Sequence, residues 1–197
     1  MKHPSYKPLA QAAISSGGCH VLSAHNPAAV RIDSPALEVM TDLAVIPVAT
    51  IAPGDSLHKA NQSMLLRGVR LLLVADDGGG LSGVVTTNDL LSEKPVLVAQ
   101  ARGVKRDELC VSDVMTAVGR MEVLHFSDVS KAEVGHIVAT LKAAMRVHAL
   151  VVEERDGKQV LRGIFSATQI ARQLGVQIVT YEVARTFAEI EAAIAGV

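Results

Sequence analysis

A lead-in of Val39-Met40-Thr41, an amphipathic run, a β-rich run and the corner Gly83-Val84-Val85-Thr86-Thr87-Asn88-Asp89 return once more, in the same order, further down the chain. The second set is Val114-Met115-Thr116 and, after comparable runs, Gly163-Ile164-Phe165-Ser166-Ala167-Thr168-Gln169. Two copies at a period of roughly 75 to 80 residues point to a duplicated α/β unit rather than a solenoid. Two such units pack around a pseudo-two-fold axis and create a pair of equivalent clefts. A site can then survive in one cleft and decay in the other.

Each copy reads helix–β–α–β–β–α, an α+β unit too small to stand comfortably alone. In the first, Ser34-Pro35 starts a short helix to Met40, and Val45 to Ile51 is a strand stopped by Pro53-Gly54. Asp55 or Ser56 caps a helix with Leu57, Ala60, Met64 and Leu65 on one face, ended by Gly68. Val69 to Val74 and Leu81 to Val85 form a hairpin, and Thr87 to Leu91 begins another helix. In the second copy Ser112 caps a helix through Met115, and Met121 to His125 is the strand. Ser130-Lys131-Ala132-Glu133 has capping-box spacing before the helix of Val134, Ile137, Val138 and Leu141. Val147 to Val152 and Val160 to Phe165 form the hairpin, and Thr168 to Leu174 the last helix, closed by Gly175.

The resulting division is an N-terminal extension over 1–33, a first repeat over 34–94, a connector with a helical portion over 95–111, a second repeat over 112–175 and a C-terminal extension over 176–197. The first extension reads as a helix from Leu9 to Ile14 and strands at Cys19 to Leu22 and Ala29 to Ile32. The last reads as a strand over Gln177 to Val183 and a helix opened by the capping box Thr186 to Glu189.

Composition narrows the function classes. A formal net charge of −1 offers no basic field to nucleic acid or an anionic membrane, and aromatic residues at 3% leave few platforms for stacking bases. No run of eighteen apolar residues and no apolar signal region is present, so the expectation is a cytoplasmic protein. Cys19 and Cys110 lack metal-ligand spacing and read as reduced. Arg102, Lys105 and Arg106 read as a solvated face; His58 and His136 correspond by duplication, and His20 and His25 make a poor metal constellation. No Ser-His-Asp set, Walker-type Gly-Lys-Ser/Thr or carboxylate cluster stands out, so neither a catalytic residue nor a metal ligand is assigned.

Chemistry can sit at the strand-to-helix corner Gly83 to Asp89. The glycine permits close approach of another backbone. Thr86 and Asp89 lie three apart at a helix start, where free amides favour an anion. The carboxylate can accept two hydrogen bonds from a ribose diol while the hydroxyl donates to a phosphate. The alternative is local: Thr86 caps the helix and Asp89 complements its dipole.

The lead-ins, Arg70 or His148 just before the apolar strand, and the closing Gly-to-Asp pattern together resemble the CBS (cystathionine-β-synthase-type) repeat over residues 35–175. Such repeats come in tandem pairs called Bateman modules. The ending Phe165 to Ala171 also resembles stand-alone bacterial CBS-pair proteins. The resemblance implies an α+β tandem CBS pair with pseudo-two-fold symmetry, each repeat carrying a three-stranded sheet. It also implies a regulatory, non-catalytic module that requires no cofactor and binds AMP, ADP, ATP or S-adenosylmethionine between the repeats.

By position, Thr86 and Asp89 would hold phosphate and ribose, with Val85 against the sugar and Arg70 near the phosphates. Val123, Val147, His148 and Ala149 of the other repeat would clamp the adenine, ordinary core packing being the alternative for Val123, Val147 and Ala149. The pseudo-symmetric cleft would use Ser166 and Gln169, with His148 near the phosphates and Val48 and Leu71 at the base. There Gln169 loses the charge-assisted ribose contact, worth about 1 kcal/mol, and Leu71 crowds the base. The first site is therefore expected to be competent and the second weak. A homodimer through Ala-rich helices such as Ala139 to Met145 and an unidentified regulated partner complete the expectation. A structural or protein-interaction module with a vestigial pocket is the alternative.

Overall fold

A computed structural model describes residues 9–13, 16, 29–176, 188 and 190–192. The strand expected over Cys19 to Leu22, the strand over Gln177 to Val183 and the capping box at Thr186 lie outside these residues. A one-turn 3-10 helix, Ala36–Val39, leads into β1 (Thr41–Asp42) and β2 (Thr50–Ile51). Then come α1 (Leu57–Arg67), β3 (Leu71–Ala75), β4 (Leu81–Thr86), α2 (Thr87–Leu91) and α3 (Lys94–Arg102). The second repeat contains α4 (Val111–Val114), β5 (Thr116–Ala117), β6 (Val123–His125), α5 (Phe126–Val129), α6 (Val134–Ala143), β7 (His148–Arg155), β8 (Lys158–Ser166) and α7 (Ala167–Gln173).

The lead-ins change places. β1 pairs antiparallel with β8 of the second repeat, and β5 pairs antiparallel with β4 of the first. The sheets are therefore four-stranded, in the orders β1-β8-β7-β6 and β2-β3-β4-β5, rather than three-stranded as expected. Ala36 and Val39 are buried in the second repeat's core with Ile137, Leu141, Phe165 and Ile170. Leu109, Val111 and Val114 are buried in the first, with Leu57, Met64, Leu72 and Leu90. The backbone repeats the exchange: Ala36 N–H donates to the Ala132 carbonyl at 2.8 Å, and Val111 N–H to Asp55 at 2.8 Å. A 60-residue unit buries too little apolar surface alone, and each borrowed valine adds about 1.5 to 3 kcal/mol.

The glycines of the two corners are where the borrowed strands cross. A Cβ on Gly83 would strike the Thr116 carbonyl of β5, and one on Gly163 the Met40 thioether. The lead-in and glycine markers of the duplication are thus two halves of one contact.

Local chemistry explains most of the remaining elements. Ser56 caps α1 by accepting the Lys59 N–H at 3.2 Å, and Gly68 closes the helix at φ 64°. The strand expected from Val45 shrinks to Thr50–Ile51, because Pro47 interrupts it and Val45 and Ile46 are exposed in a turn. Leu9 to Ala13 are not helical, and residues 29–32 are not a strand. Ile32 instead attaches singly, its carbonyl accepting the Gly135 N–H at 2.9 Å. Cys110, not Ser112, precedes α4, and its N–H is held by the Asp113 carboxylate at 2.8 Å. Ser130 bonds back to Ser127, so the box expected with Glu133 does not form; His136 Nδ1 accepts the Glu133 N–H at 3.1 Å instead. Residues 188 and 190–192 are helical, and Ile190 is buried in the second core.

A third cluster joins the sheets, with Leu71, Leu73 and Val84 of the first repeat against Leu150 of the second. It forms the floor on which the site rests.

Candidate functional site

A cleft of about 920 Å³ opens between the repeats. Its first wall carries Arg70, Leu71, Val84, Thr86 and Asp89, and its second Met121, Glu122, Arg146, Val147, His148 and Leu150. Strand alternation selects these residues: Val84 and Thr86 share one face of β4, and His148 and Leu150 one face of β7. The register places Leu71 opposite Thr86, on the same face.

The corner holds itself tightly. Asp89 Oδ2 accepts the Thr86 N–H at 2.9 Å and the Thr86 hydroxyl at 2.7 Å. The Asp89 N–H donates to Thr86 Oγ1 at 3.3 Å, completing a capping box. Lys94 Nζ reaches Asp89 Oδ1 at 2.5 Å, and that carboxylate is only 13% exposed. Of the amides expected to invite an anion, Asp89 N–H is used by Thr86, and Thr87 N–H donates to the Arg70 carbonyl at 3.0 Å. The capping role therefore needs no ligand. A ligand recruiting Asp89 must compete with Lys94 for Oδ1.

Opposite lies His148. Its Nδ1 is buried and has no hydrogen-bond partner among the described residues. Burial first, and the positive charge of Arg70 second, depress its pKa to about 4, so the imidazole is neutral near pH 7. Arg146 pairs with Glu122 at 3.2 Å near the cleft's edge. The cleft thus combines an apolar floor with a carboxylate, guanidinium groups, a hydroxyl and a neutral imidazole, a set suited to a small ligand with hydroxyl and anionic groups.

The structure brings Thr86, Asp89, Arg70, Val147 and His148 together at this cleft and places three other candidates elsewhere. Val85 is fully buried in the first core, so Val84 takes its place at the cleft. Ala149 points away from the cleft and packs on the second core. Val123 packs into the inter-sheet cluster rather than the cleft wall. The residues assigned to a second cleft group in two places, Val48 with Leu71 in the inter-sheet cluster and Ser166 opposite His148 on the neighbouring strand. Leu71 lines the first cleft, Val48 packs on the inter-sheet cluster, Ser166 precedes α7 without a side-chain cap bond, and Gln169 is exposed. Lys94, Glu122 and Arg146 were missed. The alternation of β4 could have selected Val84, but no local signal couples Glu122 to Arg146.

Residues 36–95 match the CBS domain family model. The fold resembles an uncharacterized conserved protein from Pyrococcus horikoshii at 20% identity and TM-score 0.53, covering 77% of this chain and 100% of that one. It also resembles CBSX2, a CBS-pair protein of Arabidopsis thaliana solved in complex with AMP. That likeness is at 24% identity and TM-score 0.50, over 71% of this chain and 94% of the other. An uncharacterized protein of Methanopyrus kandleri is 36% identical over 61 residues, a match spanning 31% of each chain, so about a third of that relative's length is covered. The chain is similar to the CBS domain family over its first repeat. Its two repeats form the α+β fold of a tandem CBS pair.

Proposed function

We propose that this CBS pair is a non-catalytic regulatory module that binds an adenosine-containing ligand in the inter-repeat cleft. The observation that carries the reading is the meeting of Thr86 and Asp89 with Arg70 and His148 across one cleft of about 920 Å³. Both repeats contribute walls, so an occupant bridging them shifts their relative angle, and that change is what a regulated partner reads. The AMP complex of CBSX2 supports an adenine nucleotide as the first ligand to try. ADP, ATP and S-adenosylmethionine complete the set. The setting we propose is a cytoplasmic homodimer, with no part played by nucleic acid or a membrane surface; no helix among the described residues is long and apolar enough to cross a membrane.

Calorimetric titration with these four ligands tests the reading. We expect at least one to bind more tightly than about 1 mM, equivalent to roughly −4 kcal/mol. Asp89→Ala should remove most of that binding and Gln169→Ala little. The second reading, an interaction module with a vestigial pocket, draws on the self-sufficiency of the Thr86–Asp89–Lys94 network. Absence of binding by all four ligands would favour it.

A further inference from the structure

The inference concerns His148 and rests on the nucleotide reading above. Three observations meet at this side chain. It lines the cleft from the first position of β7, as Arg70 lines it from just before β3. Its Nδ1 is buried without a partner among the described residues, an arrangement that costs stability. Arg70 acts on it electrostatically across the cleft. Around the cleft, Lys94 pairs with Asp89 and Arg146 with Glu122.

We propose that His148 is a proton-linked contact for a phosphate monoester: a phosphate dianion entering beside Arg70 draws one proton from solvent onto the imidazole, so phosphorylated ligands bind more tightly as the pH falls. The only bond formed is N–H, and the proton leaves again when the ligand does. Without ligand, the imidazole stays neutral because burial and the Arg70 charge both oppose protonation. Two negative charges within a few ångströms reverse that balance and return the group toward the ordinary histidine range. A nucleoside without phosphate supplies no such charge. His148 then sets a preference for nucleotide over nucleoside that grows with acidity.

The test titrates AMP and adenosine into the wild type and His148→Gln at about pH 7.5 and about pH 5.5. AMP gains its own second proton near pH 6, and the variant removes that contribution by comparison. The wild-type advantage for AMP should grow about tenfold across this range, while adenosine affinity moves in parallel in both proteins. Titrations in buffers of different ionisation enthalpy should show about one more proton taken up per AMP by the wild type near pH 6. An NMR titration of the His148 ring in the wild type, with and without AMP, needs no variant and should show its pKa rising on binding. AMP binding with the same pH response in both proteins, and an unmoved ring pKa, would overturn the inference and leave the nucleotide reading standing. No binding of AMP or adenosine at either pH would overturn both.

Discussion

His148 shows how one side chain acquires a property its type does not carry. Its folded pKa of about 4 lies below the ordinary 6.5, with burial as the larger cause and Arg70 the smaller. Above pH 6.5 both folded and unfolded chains hold it neutral, and it adds no pH dependence. As the pH falls toward 4, only the unfolded chain binds the proton, so stability declines by about 2 to 3 kcal/mol from this group. Denaturant titration of the ligand-free protein at pH 7 and pH 4.5 should show that loss, and His148→Gln should show less of it; equal losses would return the effect to other groups. Asp89 acts by the opposite logic, since its carboxylate is satisfied on both oxygens by Thr86 and Lys94. Lys94→Ala should leave the capping box intact and free Oδ1. Calorimetry on that variant should show unchanged or tighter nucleoside binding; a loss would mean that Lys94 itself contacts the ligand.

Among the elements, the short strands matter out of proportion to their length. β5 has two residues, yet it closes the first sheet through Gly83↔Ala117 and Val84↔Thr116. Gly83→Ala drives a Cβ into the Thr116 carbonyl and must displace this strand, at an expected cost of about 2 kcal/mol or more. Gly119 has open space around its Cβ position and no positive φ. Gly119→Ala should stay within about 0.5 kcal/mol of the wild type. Chemical unfolding of the two variants checks both, and equal behaviour would show that the lead-in crossing contributes little. Helix and hairpin positions were largely legible in the chain, because Ser56, Gly68 and the Asp156-Gly157 turn act over a few residues. β1 and β5 were not legible. Two-residue strands carry no periodicity, and each exists only because the other repeat supplies an edge to pair with.

For the whole molecule, α1 of the first repeat and α6 of the second leave apolar or small residues in solvent. Leu65 and Leu66 on α1 are 73% and 88% exposed, and Ala139 and Ala143 on α6 are exposed as well. Burial of such faces between two copies is the basis of the homodimer we propose. The wild type should sediment as a dimer at micromolar concentration, and Leu66→Glu combined with Ala143→Glu should shift it to monomer. A monomeric wild type removes the dimer from the proposal.

Duplication, the order of helices and strands, and the Thr86–Asp89 corner are determined by residues near one another in the chain, since caps, turns and apolar periodicity work over a few positions. The same local rules could have chosen Val84 over Val85, because a strand shows alternate residues to each face. Packing decided the rest. The exchange of lead-ins, the partner found by Glu122 and the confrontation of His148 with Arg70 join segments far apart in sequence, where local spacing carries no information. Divergence from Asp89 to Gln169 is legible in the corner itself. That Asp89 arrives at the cleft already held by Thr86 and Lys94 depends on how α2 and α3 pack.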